Sequence, residues 1–380
     1  MAHDSYDVIV VGGGPAGTAF AKTVLNLDAP WRVLVIEKER FPRDKICGDG
    51  LTYRSIPLVN EVFPELDGLT PSKSFTTRQV LYYPGGHMLR REAEQLDVIP
   101  REVFDTALWN AIANTRIDTL EDATVEDLIF EGERVVGVRV STSGGTREIR
   151  SRWLLGADGS RSVVRKKTGR LDDDVVIHAV RQYARGIEPI EGLQFFFDIE
   201  NNGYFWIFPF EKDGERWANV GYGNSFVPIS LKDRFREYCE FPEVKRFLGS
   251  AEMVGKIVGF PLNLAPVRFG RVRMARKLHG PGYLLLGDAA SLIHPLSGEG
   301  ISFAIQSGKI AAEILHDASI PDGEKGLRYE ARTLEYASPL FTALSAFLAI
   351  RVPVILPRWL SKLYVASASW LQARTNWGVK

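Results

Sequence analysis

The stretch VIVVGGGPAGTAFA, residues 8–21, restricts the possible folds more than any other part of the chain. Tyr6 to Val11 is apolar and β-branched, the pattern of a strand buried on both faces. Gly12, Gly14 and Gly17 follow at GxGxxG spacing around Ala16, and Thr18 to Leu25 reads as a helix. A strand that enters a helix through these glycines predicts a dinucleotide-binding turn. One glycine makes the tight turn, one admits a pyrophosphate to the backbone, and one lets helix and strand pack closely. The helix N-terminus supplies free amides and the positive end of its dipole. A second strand, WRVLVIEKE, carries Glu37 twenty residues after Gly17, where a carboxylate accepts hydrogen bonds from a ribose. The turn alone does not separate FAD from NAD.

Composition removes several function classes. Lys plus Arg and Asp plus Glu both number 47, and no basic block occurs, so no nucleic-acid partner is expected. The two cysteines, Cys47 and Cys239, are far apart and form no CxxC pair. No metal site or disulfide framework is therefore expected, and a reducing compartment fits. The opening MAHDSYD lacks the pattern of a secretory leader, and no run of eighteen apolar residues occurs. A cytoplasmic location follows as the expectation.

Two later motifs bear on the cofactor. WLLGADGSRSVVR, residues 153–165, reads as a strand entering a tight turn at Asp158-Gly159. In residues 283–315 an apolar strand ends at Gly287-Asp288, and Gly298, Glu299 and Gly300 lead into a helix. Ile301, Ala304, Ile305, Gly308, Ala311, Ala312 and Leu315 mark one apolar face of that helix. Amides at its start, aimed at a reduced flavin, would stabilise negative charge there. The three motifs together resemble the flavoprotein superfamily typified by p-hydroxybenzoate hydroxylase, which implies FAD. The resemblance places Asp288 at the ribityl chain, Asp158 beside the flavin, and Arg101 near the ribityl-pyrophosphate region. Lys38 and Val125 complete the implied cofactor contacts. No second GxGxxG occurs, so a stable second dinucleotide domain is not expected.

FPRDKICGDGLTYR, residues 41–54, GYFWIFPF, residues 203–210, WANVGYG and PLSGEGI narrow the resemblance to the geranylgeranyl reductase family. It covers roughly residues 5–315 and implies FAD-dependent reduction of double bonds in prenyl chains. It also places Cys47 beside the flavin ring, with Gly48 and Gly50 allowing close backbone approach. Tyr204, Trp206 and Phe208 fall on one face of a strand by period two, and Phe205 and Ile207 on the other. Asp213-Gly214 is a hairpin signal, and Phe195 to Phe197 reads as a neighbouring strand. This antiparallel sheet is read as roofing an apolar cavity over the cofactor. The interval from Pro209 to Gly221 exceeds the family's, which points to a different hairpin tip.

The expected architecture is α/β with an α+β insert. Residues 1–75, 98–178 and 272–325 form a discontinuous FAD-binding domain of the Rossmann type. Residues 76–97 and 179–271 form the substrate sheet, and 326–380 a C-terminal helical segment. Cys47 and Tyr204 are candidate proton donors, and Trp206 joins them as a candidate catalytic residue. Lys45 is expected at the surface or near a phosphate, Glu299 to be solvent-facing or structural, and His294 and Cys239 to be packing residues; His178 is left undecided. The partners expected are an apolar substrate and a transient electron donor: NADPH, ferredoxin or a flavin reductase. The broken apolar stretch beyond Tyr336 caps the cavity or touches a membrane surface. Three rivals share the cofactor motifs. They are an oxygen-using hydroxylase, a flavin halogenase and a non-catalytic flavoprotein. The halogenase would carry Trp-x-Trp-x-Ile-Pro, but the matching stretch is FWIFP, without the first tryptophan.

Overall fold

The structure is a computed structural model. It describes residues 5–349 except 67–68, 70–75, 85, 170–174, 202, 226–228, 265–266, 269–270, 273–277 and 295–297. Two eight-stranded sheets organise it.

The first sheet is built on the opening strand, Ser5–Val11. It lies between Val33–Ile36 and Gly145–Gly156, parallel to both. Asp118–Leu120 and Tyr283–Leu285 extend the parallel core on either side. The central residues Val8 to Val11, Val33 to Ile36, and Leu154 and Leu155 are all buried, which explains their continuous rather than alternating apolar pattern. A hairpin of Thr124–Glu131 and Arg134–Thr142 joins antiparallel to Gly145–Gly156 and adds Val138 and Val140 to the same core. The sheet is therefore mixed.

The first helix, Pro15–Asn26, begins three residues before the expected Thr18 because proline sits at its first position, where a missing N–H costs nothing. It packs on helix Ile301–His316. That helix was expected to bury one stripe; Phe303, Ser307, Ile310 and Ile314 are buried as well, since it is enclosed by the first helix and by helix Asp322–Ala349.

The second sheet runs in the order Glu252–Leu264, Val175–Arg185, Glu215–Ser225, Gly203–Lys212, Leu193–Asp198, Thr76–Tyr83, His87–Val98 and Gly50–Leu51. One pair departs from the expected antiparallel arrangement: Leu193–Asp198 lies parallel to Thr76–Tyr83. The central hairpin keeps register from Gly203↔Asn224 to Lys212↔Glu215, closing on Asp213 and Gly214, both at positive φ. The tip is thus a two-residue turn, and the long interval lies in lengthened strands. Phe205 and Ile207 face helices Leu231–Cys239 and Pro242–Leu248, while Trp206, Phe208 and Phe210 share the opposite face with Leu193 and Val98. Cys239 packs at the edge of the helix-covered cluster, as expected.

The two helices approach closely at Gly308. A Cβ there would stand 2.3 Å from Ala16 O and 2.9 Å from Phe20 N, both backbone atoms that cannot turn aside. Gly308→Ala is therefore expected to cost about 1–3 kcal/mol. Gly323→Ala, where a new Cβ meets nothing within 4 Å, should leave the urea midpoint unchanged or slightly raised. Equal midpoints for the two variants would refute the close packing.

Candidate active site

The glycine turn does what its spacing predicts. Gly12 has φ +108°, and a Cβ there would stand 2.3 Å from Ala157 O; a Cβ at Gly17 would stand 2.0 Å from Gly12 O. The first glycine admits the mid-chain turn, and the third closes helix onto strand. Gly14 caps the first helix without any side-chain hydrogen bond, and Gly300 does the same for helix Ile301–His316. Neither helix has an acidic residue in its first turn. Ala16 and Ala304, each in a first turn, both lie against Gly287. Two helix N-termini thus open on one crevice with their leading amides uncapped by side chains, a site suited to anionic groups.

The other motifs gather there. Gly13 N–H donates to Glu37 Oε2 (2.8 Å) and Glu39 N–H to Oε1 (3.2 Å), so the buried Glu37 carboxylate is aimed at the turn. Asp288 Oδ1 faces Gly300, 3.3 Å from where a Cβ would lie. Arg165, which sequence reasoning missed, ties the Asp158 turn to the Gly287 turn. Its guanidinium donates to Ser160 O, Ser291 Oγ (3.0 Å) and Ala289 O (3.4 Å). Asp158 Oδ2 accepts from Val163 N–H (2.6 Å) at the start of helix Val163–Lys167, whose N-cap is Ser162. Burial pushes the Asp158 pKa up. Lys45 is partly exposed, and its Nζ lies 3.1 Å from Asp288 Oδ2. Lys38 is exposed and pairs with Glu39, and the Val125 side chain lies in the core. Glu299 is structural: it accepts from Thr52 (2.6 Å) and Ser302 (2.7 Å). His294 is buried and its N–H donates to Glu299 O (2.8 Å), while His178 is exposed on its strand.

Arg101 is buried and holds Asp105 by two hydrogen bonds, at 2.6 and 2.7 Å. Arg43 adds a third at 2.8 Å. The Cys47 thiol also reaches the Arg101 guanidinium. Burial opposes the Arg101 charge, but Asp105 and Cys47 outweigh it and hold the guanidinium above its ordinary pKa. Tyr204 is near enough to Cys47 to feel its charge, and its hydroxyl lies 3.5 Å from a Cβ built on Gly298. Burial, and then Cys47, push the phenol up to about 12. Around it Phe195, Phe197 and Tyr204 are only half-buried, so the aromatic face is open at this end. Trp206 lines the same face, but its Nε1–H is committed to Asn219 Oδ1 (3.0 Å).

Asp49 is a second residue missed by sequence reading. It is fully buried at φ +63°, and Oδ2 accepts from Tyr183 OH (2.6 Å) and Asn219 Nδ2 (2.8 Å). Burial raises its pKa to about 6, against the lowering effects of Tyr183, Asn219 and Arg181; Asp44 adds a small raising effect. Nothing in the sequence marks this acid, because it is the fold that brings strand Val175–Arg185 to it.

The FAD binding domain family matches residues 5–181. The digeranylgeranylglycerophospholipid reductase 1 of Methanopyrus kandleri is 32% identical over 329 residues, which is 82% of this chain and 81% of that protein. The chain belongs to the geranylgeranyl reductase family of FAD-dependent oxidoreductases. Another member, the digeranylgeranylglycerophospholipid reductase of Thermoplasma volcanium, is 29% identical, covering 83% of this chain and 79% of its own length. A geranylgeranyl bacteriochlorophyll reductase-like protein from Thermoplasma acidophilum shares the family fold. Its TM-score is 0.76 at 23% identity, with 90% and 86% of the two chains covered. A myxobacterial chondrochloren halogenase has the same fold, at TM-score 0.75 and 20% identity over 98% and 91%. The crevice fits the FAD that the family implies, on the uncapped helix ends and the Gly12 and Gly300 corners. Among the described residues no cluster suited to a metal ion occurs, and no helix is long and apolar enough to cross a membrane.

The Asp49 carboxyl generates a pH prediction. A folded-state pKa above the unfolded value means that its contribution is full below the ordinary carboxylate range and is lost as pH rises towards 6. The loss is on the order of 3 kcal/mol by linkage. The Tm of Asp49→Asn relative to the parent should rise between pH 4 and pH 6.5 and then level off. A flat difference across that range would show that this carboxyl does not titrate there.

Proposed function

We propose that this protein reduces carbon–carbon double bonds of an apolar, isoprenoid-type substrate, with the substrate lying between the crevice and the open end of the aromatic face. The observation that carries the reading is the meeting of Tyr204, Cys47 and Gly298 where that face reaches the Gly298–Ile301 corner. The names of the relatives support the same substrate class.

In this reading Gly12, Gly14, Ala16, Gly17, Glu37 and Arg101 hold the nucleotide side of the cofactor. Asp288, Gly298, Gly300 and Ile301 hold the flavin side, with Cys47 and Gly48 beside the ring. When bound, reduced FAD supplies a hydride to one carbon of the double bond. The chain's own residues orient the substrate, exclude water and deliver a proton to the other carbon. Phe195, Phe197, Tyr204 and Trp206 form the apolar wall. Tyr204 stays protonated at neutral pH, so it holds a proton at its hydroxyl. Cys47 is the second candidate proton source at the site, with Arg101 beside it. Trp206 serves as wall rather than donor, since Asn219 takes its N–H. In this reading the chain divides into a discontinuous cofactor domain and an inserted substrate sheet, the latter also taking in Gly50–Leu51 and the start of Val175–Arg185. NADPH, ferredoxin or a flavin reductase recharges the flavin. Peripheral membrane contact is assigned to the C-terminal stretch, whose residues 350–380 lie outside the described ones.

Incubation of reduced, FAD-loaded protein with a geranylgeranyl lipid tests the reading by product mass. Each bond reduced should add two hydrogens, in the absence of oxygen. A gain of oxygen or halogen would replace it with hydroxylase or halogenase chemistry. Tyr204→Phe should lower the rate at least tenfold if its proton is used, and Asp288→Ala should weaken FAD retention, read by absorbance after gel filtration.

A further inference from the structure

Asn219 is wholly buried, and every polar atom of its side chain is used. Oδ1 accepts the Trp206 indole N–H at 3.0 Å. Nδ2 donates one hydrogen to Cys47 O at 2.7 Å and the other to Asp49 Oδ2 at 2.8 Å. Tyr183, directly opposite Asn219 on the neighbouring strand, donates to the same Asp49 oxygen. One amide therefore joins the aromatic wall to a loop 172 residues earlier in the chain.

The geometry has a consequence for the thiol. The loop packs its Gly48 and Gly50 flat against Phe208, and Asp49 takes a left-handed conformation between them. Ile99 N–H holds Asp49 O at 3.0 Å, so the loop is fixed on its far side by backbone. On the near side the Cys47 carbonyl is held by Asn219. A peptide carbonyl held in direction holds its peptide plane and so restricts the ψ torsion of Cys47, the backbone from which the thiol is carried. That side chain reaches Arg101.

We propose that Asn219 is a positioning residue. By donating to the Cys47 carbonyl while holding the Trp206 indole, it sets how the Cys47 thiol stands towards Arg101. Only a primary amide of this length serves. An ionised aspartate has no donor for either oxygen, and a serine has one donor, which serves Cys47 O or Asp49 Oδ2 but not both. The effect on turnover rests on the reductase reading above. The effect on the thiol does not.

The test uses the full FAD-loaded chain with Cys239→Ser, which leaves Cys47 as the sole thiol. Alkylation by iodoacetamide is followed by intact mass from pH 6 to 10 in four proteins: the parent, Asn219→Ser, Asn219→Asp, and the double variant Asp49→Asn/Asn219→Asp. The double variant restores a donor–acceptor pair between positions 49 and 219 but leaves the Cys47 carbonyl without its donor. Both single variants should change the rate at pH 7.5 at least fivefold and move the midpoint of the pH profile. The double variant should recover the parent's Tm and keep the altered profile. If Asn219→Asp does not fold, the double variant supplies the measurement. The proposal is overturned if the single variants alkylate as the parent does. It is also overturned if the double variant restores the parent profile, since the Asp49 link alone would then place the thiol. In turnover, Asn219→Ser should lower kcat about tenfold with KM within twofold. A parent that reduces no prenyl substrate would end the reductase reading, while the alkylation profile would still judge the positioning.

Discussion

The contact of helix Pro15–Asn26 with helix Ile301–His316 is the constraint on which the site depends. It joins the two ends of the cofactor domain across almost three hundred residues of chain. Gly308 lets the axes approach until Ala16 and Ala304 meet at Gly287. Without that approach the two uncapped helix ends would not open on one crevice. Arg165 makes the matching link on the other side, between the Asp158 and Gly287 turns. Both links are buried, so a polar or steric error in either has no water to relax into.

The second sheet works through its two faces. Strand alternation sends Phe205 and Ile207 under helices, where Phe235 and Tyr238 cover them. The same alternation turns Tyr204, Trp206 and Phe208 towards Gly298 and the Cys47 loop. Asn219 and Asp49 fasten this face to the Cys47 loop with polar contacts rather than apolar ones. Hydrogen bonds are directional where apolar packing is not, so they fix a loop that small glycines alone would leave free to shift.

Much of the cofactor side was legible in the sequence because its signals are local. GxGxxG, the apolar strand before it and Glu37 all lie within a single βα unit, and the period-two pattern of GYFWIFPF assigns faces without knowledge of any partner. Where the reading fell short, a distant partner decided. Lys45, expected at the surface or near a phosphate, is partly exposed, but its pairing with Asp288 far along the chain was not legible. That the amides of the following helix take one carboxylate oxygen of Asp158 was likewise not legible. Asn219 lies in WANVGYG, and nothing in that string tells an amide that holds a loop from one that faces water.

The sequence by itself determined the βα turn, the two faces of the aromatic hairpin and that the turn is built for a dinucleotide. Each follows from spacing within a few residues, where backbone geometry leaves little choice. Only the tertiary structure decided which helix ends meet, which carboxylates are paired, and which amide holds the Cys47 loop. Those outcomes depend on contacts between segments far apart in the chain, and burial makes each such contact either satisfied or costly.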